Sequence, residues 1–214
     1  MNRRLEPELL DSLPPDHPDA IHSRRDLRLV NRVMGNAPWF EKTLARHVRS
    51  GDRVIELGSG TGELSARLRT VTSLVDGIDR IPSPPDWPAS ACWHQADIQT
   101  FTGWNAYPVV IGNLILHHFD NVSLRALGEA ISPHARLLIF NEPTRNRINL
   151  RVWSLTAPLC GANHVTRHDG RVSIAAGFIG DELPRSLGLD PSLWHWEISH
   201  TWRGAYRLIA ERRP

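Results

Sequence analysis

The sequence predicts an α/β domain in which a parallel sheet is covered by helices on both faces and ends in an antiparallel hairpin. Three observations predict it. Between residues 50 and 142, short apolar runs alternate with helical patterning, which is the signature of repeated βα units with right-handed crossovers. At Val54 to Gly62 an apolar run breaks into three glycines at alternate positions, and helical spacing resumes through Leu64, Ala66 and Leu68. Near the end, Trp194 to His200 and Ala205 to Glu211 read as short strands joined only by Thr201-Trp202-Arg203-Gly204. That link is too short for a crossover helix, so the two strands must pair antiparallel.

Size and composition agree with one domain. A chain of 214 residues can bury one good core with a small addition, and it is too short for two full domains. No apolar run approaches a membrane span, and the polar residues Met1 to Glu8 do not read as a signal peptide. Cys92 and Cys160 form no disulfide framework, which fits a bacterial-type cytoplasm. The basic residues are almost all arginine, with Lys42 the only lysine. A formal charge of +2, with no basic run interleaved with aromatics, gives nucleic-acid binding little support.

Along the chain, residues 1–22 are rich in Pro and Asp and predict a loosely ordered arm around a turn at Leu9-Leu10. Helices are expected over Arg24 to Met34 and Trp39 to Val48, with Gly35-Asn36-Ala37-Pro38 between them. Strands follow at Val54 to Leu57, Leu74 to Asp79, Trp93 to Ile98, Tyr107 to Leu116 and Arg136 to Phe140. The four prolines in Ile81 to Pro88 rule out a helix there. Asn121 or Ser123 should cap a helix through Leu124, Leu127 and Ile131. Between Asn141 and Pro191 two helical segments are expected, Asn146 to Leu159 and Ala176 to Leu187, with a polar bend at His164 to Arg171. Extra material after a parallel strand lies over the ligand crevice. The domain map is therefore an arm and helices at 1–49 forming part of a lid, a main domain at 50–214, and a lid or substrate insertion at about 143–190.

The glycine run names the ligand. Gly58, Gly60 and Gly62 space as G-x-G-x-G, unlike the G-x-G-x-x-G of a dinucleotide site, and no Gly-Lys-Ser/Thr follows to make a P-loop. With Glu56 two residues ahead, the stretch Glu56-Leu57-Gly58-Ser59-Gly60-Thr61-Gly62 resembles motif I of the class I S-adenosylmethionine-dependent methyltransferases. The resemblance covers most of residues 50–142 and implies a Rossmann-like sheet of seven strands, five parallel plus a terminal hairpin whose last strand slots between the fifth and sixth. It implies that Gly58, Ser59, Gly60 and Gly62 wrap the methionine portion of the cofactor and that Glu56 orients that loop. Asp79, with Arg80 beside it, falls where the family's acid accepts from both ribose hydroxyls. Asp97 and the Ile98 N–H fall where adenine is bound, and Asn113 and Leu114 open the fourth-strand motif facing the sulfonium.

The resemblance also implies what the acceptor is not. Leu114 follows Asn113, so N-P-P-Y is absent, as are a Pro-Cys pair and a K-D-K-E tetrad. These absences point away from nucleic acid and protein glutamine and toward a small molecule, with a hydroxyl oxygen as the expected methylated atom. Such an acceptor needs a base. His117 and His118 stand at the end of the fourth strand, with His164 and His168 in the predicted bend as rivals; His118 or His168 is the expected base. Arg145 and Arg167, among a wider set with Arg147, Arg151 and Arg171, are candidate handles for an acidic group. Trp39 and Trp153 are candidates for an aromatic acceptor. Cys160 and His164 lack a second pair at metal-ligand spacing, so no metal is expected. Two other readings stay open: a nicotinamide-dependent oxidoreductase, and a methyltransferase-like module without turnover. The oligomeric state is not legible.

Overall fold

A computed structural model describes residues 1–214. Its single seven-stranded sheet has the order β3-β2-β1-β4-β5-β7-β6, with β1 at Val54–Leu57, β2 at Val75–Asp79, β3 at Trp93–Gln95, β4 at Val109–Asn113, β5 at Leu137–Pro143, β6 at Trp194–His200 and β7 at Ala205–Arg212. The first five strands are parallel. The expected hairpin closes the sheet, and β7 pairs antiparallel with both β5 and β6. No helix is long and apolar enough to cross a membrane.

Strand periodicity sorts the side chains into two cores. Val54, Val75, Val109, Ile111, Leu137 and Ile139 face one side. Phe40 and Leu44 of α2 (Asn36–His47) and Leu68 of α3 (Glu63–Leu68) cover them. Ile55, Leu57, Val110, Leu138 and Phe140 face the other, against Leu124, Leu127 and Ile131 of α4 (Asn121–Ile131). The same parity aims the polar residues at the strand ends. Glu56 shares the α3 side with Val54, Asn113 and Asn141 share the side of α2, and Glu142 takes the opposite side.

Four expectations are corrected. The first helix, α1, spans Pro18–Met34 and starts six residues before Arg24. Pro18 sits at its first position, where a missing N–H costs nothing, and His17 caps it by accepting from the Asp19 N–H. The polar stretch His164 to Arg171 is helix, not a bend: α6 runs His164–Ala176, and the Asn163 side chain caps it by accepting from the Thr166 N–H. The helix expected over Ala176 to Leu187 is only Glu182–Ser186 (α7), whereas α5 (Arg147–Leu159) lies within one residue of its expected bounds. Helix α4 is capped by Asp120, which accepts from the Ser123 N–H, rather than by Asn121 or Ser123.

The arm at residues 1–13 is the larger departure. It lies across the carboxyl end of the sheet. Arg3 donates to the carbonyls of Phe119 (2.7 Å), Ala176 (2.7 Å) and His117 (3.2 Å), and its guanidinium stacks 4.6 Å from the Phe178 ring. Leu9 and Leu10 donate their backbone N–H groups to the Asp169 carboxylate at 2.8 and 3.0 Å. These bonds link positions more than a hundred residues apart, so local composition gives no sign of them.

Candidate active site

The crevice forms where β1, β2 and β4 end. After β1 the chain turns through Gly58, Ser59 and Gly60 into α3. Gly58 has φ +62°, and a Cβ there would stand 2.7 Å from the Ile115 side chain, so only glycine fits. Gly60, at φ +53°, would direct a Cβ into open space, which leaves the backbone bare for a ligand to approach. The turn is tied down by Ser59, whose N–H donates to the Ile78 carbonyl and whose hydroxyl donates to the Glu56 carbonyl (2.8 Å).

The three sequence-predicted acids lie around the strand ends: Glu56 inside β1, Asp79 last in β2 and Asp97 two residues beyond β3. Glu56 is buried and accepts from the Ser65 hydroxyl of α3; burial pushes its carboxyl up to about 7. Asp79 accepts from the Gly60 N–H at 2.8 Å and the Ile81 N–H at 3.2 Å. Two N–H groups fill only half of a carboxylate's acceptor sites, so Asp79 retains capacity for a vicinal diol. Asp97 accepts from the Gln99 N–H (2.9 Å), which holds its carboxyl below the usual range, and from the exposed Arg80 guanidinium (2.6 Å). Ile98 is buried, yet its N–H finds no acceptor in the chain. An orphan donor beside an acid is the complement of an adenine edge, and this is the observation on which the nucleoside fit rests.

Asn113 and Leu114 hold the next wall. Asn113 joins a row of amides: its Nδ2 donates to Asn31 Oδ1 (2.8 Å) and its Oδ1 accepts from Asn141 Nδ2 (2.9 Å), while Asn36 also donates to Asn31 (2.8 Å). The row ties α1 to the ends of β4 and β5. Leu114 has φ +58°, the only non-glycine residue in the left-handed region, and its N–H donates to the Asn141 carbonyl. Such strain persists only where surrounding bonds fix it.

That turn presents the histidines. Glu142, fully buried at the end of β5, accepts from the N–H groups of Ile115 (3.1 Å), Leu116 (2.8 Å) and His117 (3.3 Å) and from His117 Nδ1 (2.7 Å). On its other side His117 Nε2 faces Glu8 of the arm at 3.7 Å. Burial opposes charging His117, but the two carboxylates outweigh it and raise its pKa to about 9. It is therefore an imidazolium at neutral pH. His118 lies beside it, ring centroids 4.2 Å apart, and keeps a solvent-exposed edge. Crowding and the neighbouring charge hold His118 below the ordinary imidazole range, which keeps it neutral. The donor atoms of Glu8, His117 and His118 lie within 4.8 Å of one another, a grouping of metal-ligand type. Since the His117 charge already answers Glu142 and Glu8, the grouping is complete as an ion-pair network.

The remaining candidates fall elsewhere. Arg145 is not a free handle: it is buried, and its guanidinium donates to Glu182 (2.5 Å), the Gly177 carbonyl (2.7 Å) and the Met1 carbonyl (2.9 Å). Trp39 packs edge-on against Phe40 and under the Arg207 guanidinium, on the α2 side of the sheet. Trp153 and Arg167 do share a cleft of about 300 Å³ with His164 and Arg171, between α5 and α6. The partner of His168 is the adjacent Asp169 at 2.9 Å, not either member of the histidine pair; His164 is exposed. Glu8, Asn31, Glu142 and Asp169 were not singled out from sequence. Glu142 left one signal, an acid two residues after the apolar run Leu137 to Phe140.

With seven strands in this order and a glycine turn at the end of β1, the chain has the fold of the class I S-adenosylmethionine-dependent methyltransferases. No protein-family model matches the chain, and no curated protein does. Among solved structures it is similar to the plantazolicin methyltransferase BpumL in complex with a triazolic desmethylPZN analog and SAH, at 11% identity with a TM-score of 0.72, covering 96% of this chain and 93% of that one. It is also similar to the pyocyanin biosynthetic protein PhzM (17% identity, TM-score 0.60, 92% of this chain and 60% of that one). A third is a protein described for the conversion of a disulfide bond into a thioacetal group during echinomycin biosynthesis (17%, TM-score 0.56, 81% of each chain).

Proposed function

We propose that the protein transfers a methyl group from S-adenosylmethionine to a hydroxyl oxygen of a small molecule. The observation that carries this reading is the set of groups around one crevice: the bare Gly60 backbone, the half-used Asp79 carboxylate, and the orphan Ile98 N–H beside Asp97. Glycine turn, diol acceptor and adenine-edge donor stand in the order in which a nucleoside sulfonium needs them. That BpumL is held with SAH supports the same choice of cofactor. S-adenosylmethionine, when bound, supplies the electrophilic methyl and its own leaving group. The chain then has to orient the acceptor, exclude water and take one proton.

His118 fits the last task. It is neutral, accessible and anchored through the η turn (Leu116–His118) that Glu142 fixes. The imidazolium of His117 beside it also favours an acceptor oxygen as it becomes anionic. The arm and α6 roof the pair, which makes them the wall against which an acceptor is held. Trp153 and Arg167 line a separate cleft between α5 and α6, and Arg145, buried against Glu182, offers no handle to an acidic acceptor.

The experiment is label transfer. Protein incubated with methyl-labelled S-adenosylmethionine and a panel of phenols and hydroxylated heterocycles should release S-adenosylhomocysteine and label an oxygen of at least one of them. Label found only on nitrogen or carbon acceptors would remove the hydroxyl assignment. No S-adenosylhomocysteine with any acceptor, alongside tight cofactor binding, would favour a binding module.

A further inference from the structure

Helix α5 is apolar on the side that faces away from the protein. Its inward side is fixed by Trp153 against Gly170 of α6 and by the buried Ala157. Opposite, at spacings of four, three and four, stand Ile148 (72% exposed), Val152, Leu155 (70%) and Leu159 (87%). A surface helix of a soluble domain places polar residues there. Four large aliphatics on one outward stripe make a contiguous apolar face of the kind that marks an interaction site.

The stripe does not end with the helix. The β6–β7 turn abuts the start of α5 at Asn149, close to Gly204, and the same turn reaches α1 through Arg203, which donates to the Val33 carbonyl at 3.1 Å. Trp202, at the tip of that turn, is 86% exposed, and Val33 is exposed on its α1 side. The turn that carries the protruding Trp202 thus stands between α1 and the start of α5. Since Ala205 pairs with Pro143 at the end of β5, the turn lies at the same end of the sheet as the crevice.

Charge decides what covers it. No Asp or Glu occurs in residues 27–36, 143–168 or 198–210, and the acids nearest the Leu159 end of α5, Asp19 and Asp26 of α1, are held by Asn163 and Thr166. Arg147 and Arg151 flank the stripe on α5, and the Arg203 guanidinium lies over Trp202 at 5.0 Å. A second copy of the chain would bring arginine toward arginine with no acid between. An anionic bilayer meets both requirements at once: aliphatic and indole groups sit at the acyl boundary and guanidinium groups rise to the phosphates. We propose that this face docks the protein on an anionic lipid surface, with the crevice end of the sheet toward the headgroups. Because no helix can span a bilayer, the contact is peripheral. It stands independently of the methyl-transfer reading.

The test is co-sedimentation of the full chain with vesicles of phosphatidylcholine alone and of phosphatidylcholine mixed with phosphatidylglycerol. Binding is expected to the mixed vesicles and to weaken as salt is raised. The Leu155→Glu/Leu159→Glu double variant should bind at least about tenfold more weakly, since each change removes a buried aliphatic from the contact. Both positions are exposed, so thermal melting should match the parent chain; Trp202→Ala gives a second, independent reduction. No sedimentation with phosphatidylglycerol vesicles, or undiminished binding by both variants, would overturn the proposal. So would light scattering that finds a dimer which the double variant dissolves, because the face would then belong to self-association.

Discussion

Glu142→Ala is expected to cost about 3–5 kcal/mol of folding stability at neutral pH. The carboxylate is completely buried and accepts four hydrogen bonds, three from successive backbone N–H groups and one from His117. Removing it strands those donors beside a buried imidazolium, which is the expensive kind of loss. The pH dependence gives the claim a sign. His117 has its pKa raised to about 9 in the folded protein, above the ordinary imidazole value. Its contribution is therefore complete below about pH 6.5 and is lost as pH rises through about 9. Urea melts of the parent chain should show stability falling over that window, and the variant should show little of that fall. A loss smaller than about 1 kcal/mol, or equal slopes against pH, would mean that the carboxylate is not the anchor of this turn.

Exchanging His118 for glutamine acts on chemistry instead. The expected result is a fall in kcat of about 10²- to 10⁴-fold, with cofactor affinity and melting temperature near those of the parent chain. His118 makes no hydrogen bond within the chain that the substitution would remove, so a stability effect has no source there, whereas the neighbouring His117 does have such bonds. Because burial and the His117 charge lower the His118 pKa, the acid limb of the rate profile should lie below the ordinary imidazole range and the rate should be flat at neutral pH. An unchanged kcat would remove the residue from catalysis. His168→Gln, the rival expectation, should act through Asp169 and the arm it holds, raising KM more than it lowers kcat.

The contrast between these histidines and the arm shows what a sequence can display. Strand patterning is local, so the strands carrying Glu56 and Asp79 and preceding Asp97 were legible, the tasks of those acids came from the family resemblance, and the hairpin followed from a four-residue link. The segment His164 to Arg171 misled because its polar residues suggested a turn. In fact its apolar positions, Val165 and Val172, are a helical seven apart, and Asn163 supplies the cap. Arg145 misled in another way. Grouped with Arg147 and Arg151 it looked like a member of an exposed series, but it precedes the helix and is drawn into the interior by Glu182 and two carbonyls. The arm was illegible because its order comes from Arg3, Glu8 and the Leu9–Leu10 amides meeting groups on α6 and the η turn, far away along the chain. Pro and Asp content describes how a segment behaves alone, not what it meets.

Calorimetric titration of the protein with S-adenosylhomocysteine and, separately, with NAD⁺ tests the central claim most directly. Saturable binding of S-adenosylhomocysteine is expected, with no heat from NAD⁺ and an affinity lowered roughly tenfold to a hundredfold by Asp79→Asn, the loss expected when a charged acceptor of hydrogen bonds becomes a neutral amide. Binding of NAD⁺ in place of S-adenosylhomocysteine, or an affinity untouched by Asp79→Asn, would contradict it.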